Sequence, residues 1–333
     1  MNDCCYPMVA IHFEKYKYDP FIDFLKGCSI VFVILTHTIS SCLHDYSFFC
    51  LWGDMAVPIF LLIQIFHAYK SPCLGGNKFT FNKIAKRIIL PFIISQFIGL
   101  IISIVYNGIS LHEIKKFGNF GPGAYYPYIY LQFAVLLAII APLIRKLSQN
   151  PILFAVLFVV ISELFEMIAC YSNISQGIYR LLFTRYTFLI YLGARWTAKP
   201  IMMDVLTVIL SIISALFIIL FQYFDQSITF EPWFYMKGWK IFHWISYFYV
   251  ANLLVWILRV VYDKCGNMLL NSVKELGKYS YEIFLFQMIY FMISPLRRFS
   301  WHAGGMEDVI IPILDVILCT TPIVIYKRIK LAE

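Results

Sequence analysis

The segment DPFIDFLKGCSIVFVILTHTIS carries Lys26 and His37 within an apolar run. Ionisable groups are costly to hold in hydrocarbon, so each is a functional candidate by default. On an α-helix, eleven steps of about 100° come within about 20° of three full turns. The two side chains therefore share one face, roughly 16 Å apart along the axis. Burial in a membrane cavity favours the neutral imidazole, and a neutral imidazole can accept a proton. That is the requirement for a general base acting on a hydroxyl nucleophile. The structural alternative is a lysine snorkelling to headgroups and a histidine bonded to a neighbouring helix.

Other candidates are less sharply defined. Glu163 and Glu166 stand three apart, so one helix face presents both carboxylates, and Arg185 is a possible ion-pair partner. They suit the orientation of a polar ligand or a packing ion pair equally well. Tyr125, Tyr126, Tyr128, Tyr130 and Trp52 suit either a sugar-stacking platform or an interfacial aromatic belt. Glu282 and Asp315 are isolated carboxylates, and Asp54 precedes an apolar run as a mouth residue or a cap. His67, His243 and His302 lie near the ends of apolar runs without metal-ligand spacing, and no metal is expected.

The elements that position these groups follow from composition. Of 333 residues, 61% are hydrophobic, 18% aromatic and only 14% charged, where a soluble protein carries about 25% charged residues. Mean hydropathy is +0.75. A soluble core could not bury that much apolar surface and still present a wettable exterior. Disordered, collagen-like and small disulfide-scaffold classes fail on the same figures. The nine cysteines, at 4, 5, 28, 42, 50, 73, 170, 265 and 319, form no CxxC pair and read as small membrane-core residues. The first 20 residues lack an apolar stretch with a cleavage site, so no secretory signal is expected.

A helix needs about 20 apolar residues to cross about 30 Å of hydrocarbon. That ruler predicts ten spans, over 21–41, 50–69, 84–106, 126–143, 152–170, 179–196, 202–223, 241–262, 279–293 and 308–326. The fold class is therefore an all-α polytopic membrane protein. A 1–20 tail precedes a membrane domain over 21–326, and a 327–333 tail follows it. Connections are short and rich in turn formers, as in SPCLGGNK and KFGNFGPGA. The net charge of +8 comes without a basic stripe interleaved with aromatics, so no nucleic-acid partner is expected, only membrane lipids. Eighteen Lys and Arg fall on the side of the two termini and eight on the other, which places both termini in the cytoplasm.

A basic residue, ten intervening residues and a histidine in the first span resemble the acyltransferase-3 family of integral membrane acyltransferases. The resemblance continues through WGDMAVPIFLLIQIFHAYK, KIAKRIILPF, GPGAYYPYIYLQFAVLLAIIAPLI, RYTFLIYLGAR and ELGKYSYEIFLFQMIYF, in family order over most of the chain. It implies a ten-helix enzyme that moves an acyl group, usually acetyl, from cytoplasmic acyl-coenzyme A to a hydroxyl. The acceptor it implies is a glycan or a lipid-linked sugar at the opposite face. His37 would be the essential histidine and Lys26 its basic partner, where arginine is commoner; lysine keeps the charge without the bidentate fork. Lys83, Lys86 and Arg87 replace a pair of arginines three apart. They would hold coenzyme A phosphates, or else act only as topology determinants. Gln287 stands where many relatives have histidine.

The leading function is a bacterial inner-membrane O-acyltransferase, an O-acetyltransferase of cell-surface polysaccharide or its lipid-linked precursor being the expected form. Glu163, Glu166, Arg185 and Tyr126 are its candidate acceptor-binding residues. The rival from another class is a non-enzymatic transporter or flippase of lipid-linked saccharides using the same buried charges. No repeat between the two halves and no paired Gly/Pro-interrupted helices favour that rival.

Overall fold

Asp19 and Pro20 start the first helix, α1 (Pro20–Thr36), in a computed structural model that describes residues 19–70, 84–196, 205–223, 243–294, 296 and 306–332. The Asp19 carboxylate accepts a hydrogen bond from the Phe21 amide at 2.9 Å, and Pro20 has no N–H to leave unpaired. The helix stops where hydroxyl residues crowd the sequence. Thr36 donates to the Phe32 carbonyl at 2.8 Å, and Ser40 caps the next short helix, α2 (Ser41–Tyr46), by accepting from Leu43.

The chain continues through α3 (Phe49–Trp52), α4 (Ala56–Lys70), a π-helical turn at Ala85–Ile89 leading into α5 (Leu90–Asn107), and α6 (Leu111–Lys115). Then follow α7 (Tyr126–Leu147), α8 (Pro151–Tyr171), α9 (Gln176–Tyr179), a 3₁₀ turn at Phe183–Tyr186 and α10 (Phe188–Arg195). The remainder is α11 (Val205–Tyr223), α12 (Trp244–Tyr249), a π turn at Val250–Leu254, α13 (Val255–Lys264), α14 (Asn267–Lys278), α15 (Ser280–Ile293) and α16 (Glu307–Ala332). No strand occurs among the described residues.

Six helices among the described residues are long and apolar enough to cross a membrane: Phe49–Tyr69, Ala85–Asn107, Tyr126–Leu147, Pro151–Tyr171, Trp244–Lys264 and Glu307–Leu331. Val205–Leu220 and Ser280–Ile293 are shorter apolar helices, and α1 has 17 residues. Large apolar side chains such as Ile94, Phe97, Ile101, Ile152, Ile213 and Ile313 are more than half exposed, a surface suited to lipid. The protein is an all-α polytopic membrane protein.

Three expectations about its elements are refined. The stretch expected as one span over 179–196 is broken into α9, the 3₁₀ turn and α10. The stretch between the expected spans ending at 262 and beginning at 279 contains the further helix α14, whose apolar and polar residues occupy opposite faces. The tail expected over 327–333 continues α16 as helix to Ala332.

α1 is the central pillar. Phe21, Ile22, Phe24 and Leu25 belong to one buried cluster, while Ile30, Val33 and Ile34 belong to a second. α1 packs on α4, α13, α14, α15 and α16, most extensively on α14. That crossing depends on two glycines. A Cβ on Gly277 would lie 1.7 Å from the Asp23 carbonyl oxygen, and one on Gly27 would lie 2.0 Å from that of Val273. The backbones therefore touch where any side chain would separate them.

The end of the bundle that holds the start of α1 is rich in ion pairs. Arg259 reaches Asp19 at 3.3 Å and lies over Phe21, Lys327 reaches Glu282 at 2.7 Å, and Arg328 pairs with Glu275. At the opposite end, the Tyr223 hydroxyl at the close of α11 donates to the Asp45 carbonyl at 2.8 Å. The basic asymmetry of the sequence predicts that the first end is the cytoplasmic one. In a cysteine-free background, Ile109→Cys should react with an impermeant maleimide in intact cells, because Ile109 is 81% exposed. Lys78→Cys should react only after permeabilisation, and the reverse pattern would invert the orientation.

Candidate functional site

His37 caps the C-terminus of α1, its amide bonded to the Ile34 carbonyl and its ring half-buried. The imidazole meets Phe291 of α15 edge-on, with ring centroids 5.9 Å apart. Lys26, also half-buried, lies in the second turn, with its ammonium 3.5 Å from a carboxylate oxygen of buried Asp23. His67 of α4 is within electrostatic reach of Lys26. The unbroken helix keeps the two predicted partners apart by roughly 16 Å of rise. Lys26 thus lies in the first half of α1, beside Asp23, and His37 at its C-terminal cap.

Of the predicted basic cluster, Lys86 and Arg87 are exposed in the π turn that opens α5; Lys83 lies outside the described residues. Pro91 explains the wide turn, since it has no N–H to return to the Arg87 carbonyl. One turn residue is covered from α15, where the Tyr281 hydroxyl donates to the Ile88 carbonyl at 2.7 Å.

A loop of unusual depth lies beside the His37 end of α15. Residues 118–123 fold inward against α5 and α15, and three side chains pin them. Tyr128 donates to the Gly118 carbonyl at 2.9 Å. Gln96 uses both ends of its amide on Phe120, accepting from its N–H at 2.8 Å and donating to its carbonyl at 3.1 Å. Gln287 donates to the Pro122 carbonyl at 3.3 Å and is fully buried. Gly121 makes the close approach possible: its φ is +79°, and a Cβ there would sit 2.6 Å from the Met288 carbonyl oxygen. Gln287, which cannot serve as a base, thus fastens the loop one helical turn from Phe291.

The second polar group at this end joins α8, the broken sixth segment and α12. Glu163 lies 3.4 Å from the His243 ring and accepts from the Trp244 indole N–H. Glu166, buried, is next to the Tyr179 hydroxyl and within electrostatic reach of His243 and Arg185. Arg185 is buried with its guanidinium 5.3 Å from the centre of the Tyr186 ring, and its carbonyl accepts from Tyr247. The structure therefore brings the predicted Glu163, Glu166 and Arg185 into one neighbourhood. It adds His243, Trp244 and Tyr179, which spacing did not single out. Tyr126 is elsewhere, packed between Phe60 at 5.7 Å and Phe284 at 5.6 Å.

Irregular backbone at this end is held by the same device as the glycine loop. Gln132 donates to the Leu181 carbonyl at 2.6 Å and accepts from the Phe183 amide at 2.9 Å. In the α1–α4 connection, His44 bridges Asp54 at 3.0 Å and Asp45 at 3.4 Å. The hydrogen bond to Asp54 holds the His44 pKa above its ordinary 6.5, outweighing the opposing effect of partial burial. Both ring nitrogens face carboxylates, which hold the His44 side chain between Asp45 and Asp54.

Isolated carboxylates in the other spans are accounted for by neighbours: Asp315 accepts from the Tyr290 hydroxyl, and Glu282 holds Lys327. Trp52 packs edge-on against Phe32 and Phe49 and donates to the Ser47 carbonyl.

These features define a helical membrane protein with separate polar centres at the two ends of a central helix. Residues 19–326 match the family model Acyl_transf_3, described as an acyltransferase domain. The chain belongs to the acyltransferase-3 family and is a membrane acyltransferase. Comparison with curated proteins and with solved structures returned no match.

Proposed function

We propose that this acyltransferase moves an acyl group, acetyl being the expected one, from cytoplasmic acyl-coenzyme A to a hydroxyl of a cell-surface glycan or lipid-linked sugar. Its place is the bacterial cytoplasmic membrane. One observation supports this above the rest: the central helix ends in a half-buried histidine at the opposite end of the bundle from the start of α5, where Lys86 and Arg87 are exposed. Donor phosphates and acceptor hydroxyl can then be held at different faces, joined by the pantetheine arm.

In this mechanism His37 accepts the proton of the acceptor hydroxyl as its oxygen bonds to the thioester carbonyl carbon. The tetrahedral intermediate collapses with cleavage of the C–S bond, and the imidazolium returns the proton to the coenzyme A sulfur. The products are the O-acyl sugar and free coenzyme A. Lys26, roughly 16 Å of rise away and beside Asp23, belongs to the donor half and does not steady the oxyanion.

Purified protein should release coenzyme A thiol from acetyl-coenzyme A when an acceptor glycan is present; a flippase of lipid-linked saccharides would release none. Replacing Lys83, Lys86 and Arg87 together by Gln should weaken acyl-coenzyme A binding more than tenfold. The basis is the loss of charge-assisted contacts of about 1.5–3 kcal/mol each. Donor binding equal to wild type in a titration would return these residues to a purely topological role.

A further inference from the structure

At the outer end every described acid near the broken sixth segment has a partner, and one cation does not. Glu163 is engaged by His243 and Trp244, Glu166 lies beside Tyr179 and Arg185, and Asp54 is bonded to His44. Arg180 has no carboxylate within ion-pair distance among the described residues. Its Nε is buried without a hydrogen-bond partner, and its guanidinium lies over the Tyr125 ring, 5.4 Å from the centroid. A guanidinium placed over a ring and not held by a carboxylate has N–H donors left for a ligand, and their geometry matches the oxygens of a carboxylate or phosphate. The backbone carrying it is irregular from α9 to the 3₁₀ turn. In a membrane protein such backbone persists only where protein buries it or where it lines a wet cavity. Tyr125 is also within electrostatic reach of Arg185 and Asp54.

We propose that Arg180, stacked on Tyr125, forms an anion subsite of the acceptor site and that the acceptor is an acidic glycan. Its anionic oxygens belong either to a sugar carboxylate or to a phosphate at the reducing end. This rests on the acyl-acceptor reading given above. Arg180 is a binding residue here and takes no part in proton transfer.

The test is equilibrium binding to the full-length purified protein in detergent, without donor. One arm compares a glucuronic acid-containing oligosaccharide with its carboxyl-reduced twin, and the other compares a neutral oligosaccharide 1-phosphate with its dephosphorylated twin. The acidic member of at least one pair should bind about tenfold or more tightly than its twin, as expected for charge-assisted contacts. The pair that shows the preference identifies the source of the anion. Arg180→Gln should erase the preference and Arg180→Lys should retain part of it. Equal binding within both pairs by wild type overturns the subsite whether or not the variants fold, and so does an undiminished preference in a folded Arg180→Gln protein. Acyl transfer from acetyl-coenzyme A to the same sugars is scored separately. Acid-selective binding without transfer would overturn the acyl-acceptor reading alone; transfer indifferent to the acid would overturn the subsite alone.

Discussion

His37→Gln is expected to lower acyl transfer at least a hundredfold while leaving folded yield and donor binding near wild type. A general base contributes about 10²–10⁴ in rate, equivalent to about 2.7–5.4 kcal/mol of barrier. Glutamine at this helix cap can still form hydrogen bonds and still pack against Phe291, but it takes no proton at neutral pH. His37→Ala should be equally inactive and additionally loosen that contact. Transfer rates from labelled acetyl-coenzyme A, with thermal stability followed in parallel, separate the two effects. A Gln variant with full transfer activity would reduce His37 to a structural cap and remove the proposed chemistry.

Gly277→Ala should be among the most damaging single-methyl changes in the chain. Its Cβ would fall 1.7 Å from the Asp23 carbonyl oxygen and 2.9 Å from the Gly27 amide nitrogen, both backbone atoms that cannot rotate away. Helix α14 must then lift off α1, and overpacking of this kind costs about 1–3 kcal/mol even when side chains can relax. Lower thermal stability is expected, with loss of donor binding if Lys26 and Asp23 shift with the helix. Gly177→Ala is the control, since nothing lies within 4 Å of the added methyl. Equal stability of the two variants would show that the α1–α14 contact is looser than described.

Much of this was legible before any coordinates. Hydropathy located the apolar segments because a bilayer demands long uniform runs. Those runs reappear as helices near the expected positions, with α1, α4, α5, α7, α8, α15 and α16 as examples. The break at 179–196 was hidden because Leu181, Leu182 and Phe183 keep the hydropathy high while Gln132, distant in sequence, holds the backbone open. Helix α14 was hidden for the opposite reason: its polar face dilutes any window average, and only its periodicity marks it. At the site, a search confined to ionisable groups finds Glu163, Glu166 and Arg185 but passes over neutral amides. Gln96, Gln132 and Gln287 do much of the positioning; only Gln287 is marked by the family resemblance, and an unexplained polar residue in an apolar helix is the signal for the other two. His243 is visible in the sequence only as a histidine near the end of an apolar run, because its closeness to Glu163 is a contact between helices and leaves no spacing to read.

The double grip of Gln96 on Phe120 changes what the outer loop is, physically. A run such as GNFGPGA has the composition of a solvated tether, free to sample many backbone states. Here a side-chain amide supplies Phe120 with one acceptor and one donor, the pair that a neighbouring β-strand would offer. The Phe120 amide should therefore exchange its proton with deuterium on the slow timescale of the surrounding helices, although glycines flank it on the second residue before and the next residue after. A wall built this way needs no secondary structure of its own. Its rigidity at Phe120 is borrowed from α5, and loss of the one amide would release that residue while Tyr128 and Gln287 still hold the loop on either side.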